Sequence, residues 1–315
     1  MNNTLFAIGE ALIDFIPSET GCSLAEVKSF SPKIGGAPAN VLGAFAKLGG
    51  KTQLITQLGA DPFGHKIADE LEKYNIGIKN VKFTNKANTA LAFVSLEANG
   101  NREFSFYRNP SADMLYSEDN LSEKVFDDCF ALHFCSVSLG NFPMKQAHNR
   151  AIDIAAESGA IISFDPNVRL PLWNDAQMLK RAIWEFLPKS DIVKLSDNEI
   201  KFITGTDDVE KGCKGLLEFC KIVICTCGEK GAYAVTENCE ASAPSENVCA
   251  TDTTGAGDAF VGSFLYNLHR NGFDRERLCS IGKDKLSEFL RTSNRYCAES
   301  VQKHGAIDSY PQELK

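Results

Sequence analysis

The stretch Asp252-Thr253-Thr254-Gly255-Ala256-Gly257-Asp258-Ala259-Phe260 joins a glycine-rich turn to the start of a helix. Small residues allow the tight turn, and apolar residues then recur one turn apart, which predicts a helix over 256–268. At such a junction the backbone N–H groups of residues 255–257 point outward and bind an anion. Asp258 is placed to take a proton from a hydroxyl that attacks a bound phosphoryl group. The spacing also fits a plain helix N-terminus with an acid in its first turn.

Outward from this stretch, short apolar runs alternate with helical patterns such as 40–48. Strands that alternate with helices predict βαβ units and an α/β fold, in which helices cover both faces of a mainly parallel central sheet. The runs that predict buried strands are 5–8, 53–57, 131–135, 161–164, 191–193 and 222–225.

Two segments depart from this alternation. Residues 90–96 and 103–108 predict a hairpin around Asn99-Gly100, with Phe104, Phe106 and Arg108 on one face of the return strand. The segment 9–33 is too long for a simple connection between a strand and a helix. We interpret both as a small β lid, formed by roughly 11–34 and 86–110. The alternative is an edge extension of the main sheet.

Composition excludes several classes of protein. The chain has 315 residues, and its formal charge of −8 argues against broad binding to nucleic acid or an anionic membrane. No apolar run approaches the length of a membrane span, and the first ten residues do not resemble a secretion signal. Eleven cysteines without a Cys-x-x-Cys pair predict small buried thiols in a reducing cytoplasm. The five scattered histidines disfavour a zinc site.

Polar residues follow several predicted strands, where open α/β sheets bind ligands. A second glycine stretch, Gly35-Gly36-Ala37-Pro38-Ala39-Asn40, allows a ligand to approach the backbone closely and places Asn40 within an apolar stripe. A fixed amide and a carboxylate suit a polyol, and Asp14 is the expected companion of Asn40. Phe45 occupies the position of the first Walker A glycine, and Gly9-Glu10-Ala11 lacks the Rossmann fingerprint, so both common phosphate loops are excluded.

Gly35-Gly36-x-x-x-Asn40 through Gly64, together with 252–260, resembles both signatures of the ribokinase-like (PfkB) sugar kinases. Within that family, the runs 104–113 and 165–173 look most like fructokinases. The resemblance implies a single three-layer α/β/α domain over 1–315 with a β-sheet lid. It also implies transfer of a phosphoryl group from ATP to a sugar hydroxyl, converting D-fructose to fructose 6-phosphate, with Mg²⁺ and K⁺ as cofactors and a homodimer formed through the lid.

The resemblance also implies a role for each matching residue. Asp258 is the expected base, and Gly255, Ala256 and Gly257 form the expected anion hole. Glu199 is expected to organise Mg²⁺ through water. The residues expected to bind the sugar are Asp14, Gly35, Gly36, Asn40, Phe106, Arg108 and Arg169. Those expected to bind the nucleotide are Lys194, Ser196, Thr226, Gly228, Gly231 and Asn294. Those expected around a monovalent cation are Asp252, Thr254, Ser300, Gly305 and Ser309.

The sequence departs from the family pattern at four positions. Ser196 stands where an asparagine is common, which puts an amide contact to the metal shell in doubt. Arg295 and Tyr296 replace small residues, which is expected to narrow the purine pocket or to change the nucleotide preference. Asp308 replaces a frequent proline in the loop of the cation site.

Two alternatives stay open at this point. The acceptor could be 2-dehydro-3-deoxygluconate, whose carboxylate Arg108 and Arg169 would hold by bidentate pairing. Phe106 disfavours this acceptor, because related keto-acid kinases tend to have a tyrosine there. The other alternative is a scaffold without activity, which the intact Asp258, Gly255 and Gly257 disfavour.

Overall fold

The computed structural model describes residues 2–19, 21–96 and 102–314. The strands are β1 Thr4–Ile8, β2 Leu12–Pro17, β3 Phe30–Gly35, β4 Lys51–Gly59, β5 Gly77–Thr84, β6 Leu91–Leu96, β7 Arg102–Tyr107, β8 Cys129–Cys135, β9 Ile161–Asp165, β10 Ile192–Ser196, β11 Ile222–Thr226, β12 Ala232–Thr236 and β13 Glu240–Ala243. The α-helices are α1 Ala37–Lys47, α2 Pro62–Lys73, α3 Pro143–Glu157, α4 Ala176–Phe186, α5 Asp197–Thr204, α6 Val209–Leu216, α7 Ala256–Arg270 and α8 Lys283–Ser300.

In the described part of the chain, nine strands form the main sheet, in the order β13-β12-β11-β10-β9-β8-β1-β4-β5. Its strand pairs are parallel except those between β11, β12 and β13. All six predicted strands lie in this sheet, although the run 191–193 becomes β10, which extends to Ser196. The predicted helix over 40–48 begins at Ala37, because Pro38 is compatible with the first turn of a helix.

Both faces of the main sheet are buried. Along β1, Leu5 and Ala7 contribute to one hydrophobic layer, and Phe6 and Ile8 contribute to the other. Helices α1, α2, α7 and α8 cover the first face, and α3 to α6 cover the second. The arrangement confirms the predicted α/β/α fold, and alternation of side chains along each parallel strand accounts for it.

Strands β3, β2, β6 and β7 form a separate sheet, which we call the lid. This confirms the predicted small β element and excludes an extension of the main sheet. On one face, Leu12, Ala90 and Ala92 pack with Phe106. On the opposite face, the rings of Phe15 and Phe93 stack with centroids 4.5 Å apart. The predicted turn at Asn99-Gly100 and the side chain of Phe104 lie outside the described residues.

Two further expectations concern the thiols and the membrane. All eleven cysteines are free thiols. Four are buried, six are half-buried and Cys249 is exposed, so the prediction of buried thiols is confirmed for only four of them. Within the described ranges, no helix is both long and apolar enough to cross a membrane. In the same part of the chain, no three His, Cys, Asp or Glu side chains group together in a way that could hold a metal ion.

Candidate active site

Helix α7 begins at the predicted anion hole. Gly255 caps it with φ of +74°, a left-handed conformation that favours glycine, and the Tyr310 hydroxyl donates to the Gly255 carbonyl at 2.9 Å. The Ala256 N–H already donates to the Thr253 carbonyl at 3.3 Å. The N–H groups of Gly257 and Asp258 lie in the first helical turn, where they have no partner within the helix, so these two are the stronger anion donors.

Asp258 lies beside this hole and contacts helix α1. Its Oδ2 accepts a hydrogen bond from Nδ2 of Asn40 at 2.8 Å. Burial raises the pKa of Asp258 to about 6, although the Asn40 bond acts in the opposite direction. A carboxylate with this pKa suits a general base near neutral pH. The Asn40–Asp258 contact joins residues 218 positions apart and was not predicted.

The second glycine stretch joins lid strand β3 to helix α1, which carries Asn40. Gly36 caps α1 with φ of +108°, and a side chain there would lie 2.5 Å from the Glu10 carbonyl oxygen. A side chain at Gly35 would lie 2.0 Å from Oδ2 of Asp14. Burial raises the pKa of Asp14 to about 7, and the positive charge of Arg169 acts against that shift.

The two predicted arginines differ in their surroundings. Arg169 is exposed, bonds the Val168 carbonyl at 3.1 Å and interacts electrostatically with both Asp14 and Asp258. Arg108 is buried and paired with Asp113. Its guanidinium is therefore largely occupied by protein groups, and it is not the open carboxylate clamp that the keto-acid alternative requires.

A buried lysine adjoins the anion hole. Lys194 Nζ bonds Oδ2 of Asp165 at 2.9 Å, and a side chain at Gly257 would come within 2.9 Å of the same ammonium group. Burial disfavours the charged form, but Asp165 and Glu199 together hold the pKa of Lys194 above its ordinary value. Asp165 is one of the polar residues that follow the predicted strands, where a ligand crevice is expected, although the sequence assigned it no specific role.

Glu199 and Ser196 form a capping box at the start of α5. The Glu199 carboxylate accepts N–H bonds from Ser196 at 2.7 Å and from Val168 at 2.6 Å. Ser196 therefore caps helix α5, at the position where the family commonly has the side-chain amide of an asparagine. The Ser196 hydroxyl donates to the same oxygen as the Ser196 N–H, Oε2, at 3.0 Å. Oε1 therefore keeps a second lone pair, which fits contact with a metal-bound water.

A cavity of about 540 Å³ opens beside the anion hole. Its lining includes the predicted nucleotide residues Thr226, Gly228, Gly231 and Asn294, together with Ala256 and Gly257. Lys194 and Ser196 lie outside that lining. The segment 245–248 and Cys297 also line the cavity and were not predicted, since no local pattern marks them.

Neither Arg295 nor Tyr296 is among the residues that line this cavity. Arg295 points to Glu246, with Nε 2.7 Å from Oε1. Tyr296 is buried in the hydrophobic layer and donates to the Pro311 carbonyl at 2.9 Å. The buried Tyr296 therefore does not narrow the cavity, whereas Arg295 contacts one of its lining residues, Glu246.

The predicted cation residues fall into two groups. Asp252 accepts bonds from the Thr254 hydroxyl at 2.6 Å and from the Gly305 N–H at 3.0 Å, which joins three of them. Ser309 donates to the Ala306 carbonyl within the same loop, but Ser300 donates to Cys297 in its own helix. Asp308 accepts from Lys33 of the lid and from Tyr74, so it ties the lid to this loop.

Comparisons with known proteins agree with this geometry. The model of the pfkB family carbohydrate kinases matches residues 2–313. Fructokinase-2 of Oryza sativa subsp. japonica is 42% identical over 313 residues, which cover 98% of this chain and 91% of that protein. Probable fructokinase-4 of Arabidopsis thaliana is 40% identical over 311 residues, covering 98% and 94% of the two chains.

Solved structures give the same result. A fructokinase from Xylella fastidiosa with bound ATP has a TM-score of 0.91 and 31% identity, over 99% of this chain and 96% of its own. A double-mutant fructokinase from Vibrio cholerae O395, with fructose, ADP and potassium bound, has a TM-score of 0.87 and 30% identity, over 98% and 96% of the two chains. Sequence, fold and the glycine-capped Asp258 site together show that this chain belongs to the pfkB family of carbohydrate kinases.

Proposed function

We propose that this chain transfers the γ-phosphoryl group of ATP to the 6-hydroxyl group of D-fructose. The proposal rests on Asp258, a carboxylate with a pKa of about 6 that is bonded to Asn40 and directly follows Ala256 and Gly257, which line the 540 Å³ cavity. The relatives and neighbouring structures named above support fructose as the acceptor and ATP as the donor.

Each residue then has a defined task. The hydroxyl oxygen attacks the γ-phosphorus, its proton passes to Asp258, and the bond from the γ-phosphorus to the bridging oxygen breaks to release ADP. The N–H groups of Gly257 and Asp258 stabilise the negative charge that develops on the transferred group. Lys194 and Arg169 add positive charge on either side. We define the acceptor site as Asp14, Gly36, Asn40, Arg169 and Asp258.

Two cations fit the residues present. Bound with ATP, Mg²⁺ supplies neutralisation of phosphate charge, and the fixed carboxylate of Glu199 is suited to hold its water shell. Hard cations prefer oxygen ligands. The hydrogen bond from the Gly305 N–H to Asp252 brings two loops together, and these offer a carboxylate together with backbone carbonyls. We propose K⁺ as its occupant, where it would add positive charge near the anion hole.

The assembly and location stay predictions. The lid strands are interleaved along the chain with strands of the main sheet, which supports a single domain over 1–315. The lid exposes two large apolar side chains, Ile16 at 37% and Tyr107 at 64%, which supports a homodimer formed through that sheet. A monomeric mass by light scattering at micromolar concentration would contradict the dimer. A cytoplasmic location rests on the cysteine content alone.

The test is release of ADP from Mg·ATP with fructose, glucose, ribose, adenosine or 2-dehydro-3-deoxygluconate, each with and without K⁺. We expect turnover on fructose to exceed that on the other acceptors. Preference for the keto-acid would reassign the acceptor, and absence of turnover on every compound would favour a scaffold without activity.

The Asp258→Asn variant tests the base directly. We expect it to keep the fold and to lose about 10²- to 10⁴-fold in kcat, the usual size of a general-base contribution. Circular dichroism controls for folding. Turnover close to that of the unmodified chain would remove Asp258 from its assigned role.

A further inference from the structure

The guanidinium of Arg108 is almost fully occupied by groups of the protein itself. Its Nε donates to Oδ2 of Asp113 at 3.0 Å, and one terminal nitrogen donates to the same oxygen. The other terminal nitrogen donates to the Val137 carbonyl at 3.1 Å, and the Ser138 hydroxyl accepts a further bond at 3.0 Å. Only 5% of the Arg108 side chain and 1% of the Asp113 side chain are exposed.

Asp113 is itself held in position. It lies in the short 3₁₀ turn Ala112–Leu115, and the Ser111 hydroxyl donates to its second oxygen, Oδ1. Because both oxygens are engaged and both partners are buried, the pair is fixed and close to neutral in net charge. Arg108 therefore keeps neither the two parallel donors nor the excess positive charge that a bidentate carboxylate contact requires.

A second carboxylate adjoins the pair. Glu10 accepts from the Ser138 hydroxyl at 2.9 Å, and this same hydroxyl accepts from Arg108. Burial raises the pKa of Glu10, although Arg108 acts to lower it. The backbone carbonyl of Glu10 also lies against Gly36, so this cluster lies directly beneath the acceptor site.

The charges near the acceptor therefore have an acidic excess. Arg108 is neutralised by Asp113 and Lys194 by Asp165, which leaves Glu10, Asp14 and Asp258 to face Arg169. A neutral polyol loses little binding free energy in such surroundings, because its hydroxyls donate hydrogen bonds to the carboxylates. An acceptor with its own carboxylate or phosphate meets repulsion in a buried setting with low screening.

We propose that Asp113 is a specificity-determining residue, which neutralises Arg108 and so makes the acceptor site reject anionic sugars in favour of neutral ones. The proposal rests on the proposed function, since it concerns the same acceptor site. The inference goes beyond the proposed function, because it assigns the rejection of sugar acids to a residue that acts through Arg108 rather than on the sugar.

The experiment compares kcat/KM for fructose with kcat/KM for 2-dehydro-3-deoxygluconate in the Asp113→Asn variant. Asparagine keeps a hydrogen-bond acceptor for Arg108 but removes the charge. We expect the fructose preference to fall at least ~10-fold, mainly through a lower KM for the sugar acid. The gain should weaken as salt is added, because it is electrostatic. A general loss on both acceptors with an unchanged preference would overturn the proposal.

Two controls separate specificity from stability. Asp191→Asn removes a buried carboxylate that pairs with Arg275 at the amino end of β10, and it should leave the preference unchanged. Asp113→Glu keeps the charge and should keep most of the preference. If Asp113→Asn does not fold, Asp113→Ser offers a smaller acceptor for the same measurement.

A binding measurement keeps this inference separate from the proposed function. Calorimetry with gluconate as the anionic probe should show tighter binding to Asp113→Asn than to the unmodified chain. Equal binding to the two proteins would overturn the inference. Absence of turnover on fructose in the unmodified chain would instead overturn the proposed function, and the gluconate comparison would still test the role of Asp113.

Discussion

The contact between Asn40 and Asp258 joins two glycine-capped helix starts through a single hydrogen bond. The amide donates through Nδ2, and its Oδ1 is buried without a partner among the described residues. An unpaired buried oxygen is unfavourable unless a ligand donates to it. Asn40 is therefore suited to hold the base on one side and to accept from a sugar hydroxyl on the other.

The pKa of Asp258 sets the expected pH dependence of catalysis. A base acts only when deprotonated, so kcat/KM should rise with pH through about 6, where burial places this pKa. A pH–rate profile with Mg·ATP and fructose measures this limb. A limb close to pH 4 would show that burial does not raise the pKa of the working carboxylate.

Asn40→Asp tests the same hydrogen bond. Two carboxylates at this separation cannot both ionise easily, so the rising limb should move upward by about one pH unit or more. Activity lost at pH 7 should return in part near pH 9. Asn40→Ala is the matched control, because it removes the hydrogen bond without adding a charge. Equal profiles for the two variants would contradict the electrostatic account.

At the scale of elements, α1 and α7 carry the two halves of the site and pack closely at Gly262. A Cβ atom at that position would lie 2.6 Å from both the Ala44 Cβ and the Val41 carbonyl oxygen. Contacts this short leave no room for a methyl group, so the glycine sets the separation of the helices. Their separation in turn sets the distance between Asn40 and Asp258.

Gly262→Ala should therefore lower both stability and turnover. Overpacking of this kind costs about 1–3 kcal/mol, and spreading the helices would weaken the Asn40–Asp258 bond. Gly215→Ala on α6 is the matched control, because the position is exposed with no atom within 4 Å of the added Cβ. That change should be neutral or stabilise by up to ~1 kcal/mol. Chemical denaturation measures the stability of both variants, and kcat measures their turnover. Equal effects of Gly262→Ala and Gly215→Ala would contradict the packing role of Gly262.

The sequence allowed prediction of those elements whose signal is local. Each buried strand of the parallel sheet has a continuous apolar run, and the glycine stretch before Asp258 marks a helix start by itself. Strands β5, β12 and β13 were not predicted, because β5 contains two lysines, β12 has only five residues and β13 has four residues of alternating polarity. Such strands form because they pair and pack with neighbouring strands, which a local sequence pattern does not show.

The same distinction applies to the site. Asp258 and the anion hole were predictable because one continuous segment carries both. The bond of Asn40 to Asp258 was not, because it joins residues on helices far apart in sequence. Arg108 was expected to face the substrate. Its pairing with Asp113 depends on how the chain turns after the lid, and the five-residue separation in sequence does not show that turn.

At the scale of the whole molecule, two buried hydrophobic layers stabilise a fold whose site contains unfavourable charges. Burial raises the pKa of Glu10, of Asp14 to about 7 and of Asp258 to about 6. Such a shift means that the folded state disfavours the charged form. The ionised site acids therefore lower the free energy of unfolding at neutral pH, and the sheet and its helices offset that loss.

Asp258→Asn should consequently stabilise the ligand-free protein while removing its activity. The folded carboxyl keeps its proton up to about pH 6, whereas the unfolded one releases it near 3.8, so the unmodified chain loses stability as pH rises between these values. The gain from asparagine should reach ~1–3 kcal/mol at pH 8 and shrink to a few tenths of a kcal/mol near pH 4.

Thermal denaturation of both proteins across that pH range measures the difference. Asp207→Asn, which alters an exposed carboxylate paired with Lys201, is the control and should change Tm little at any pH. A Tm difference for Asp258→Asn that is the same at pH 4 and pH 8 would mean that the carboxylate is not disfavoured in the folded protein. A difference that grows with pH as expected would link catalytic competence at this position to a measurable loss of global stability.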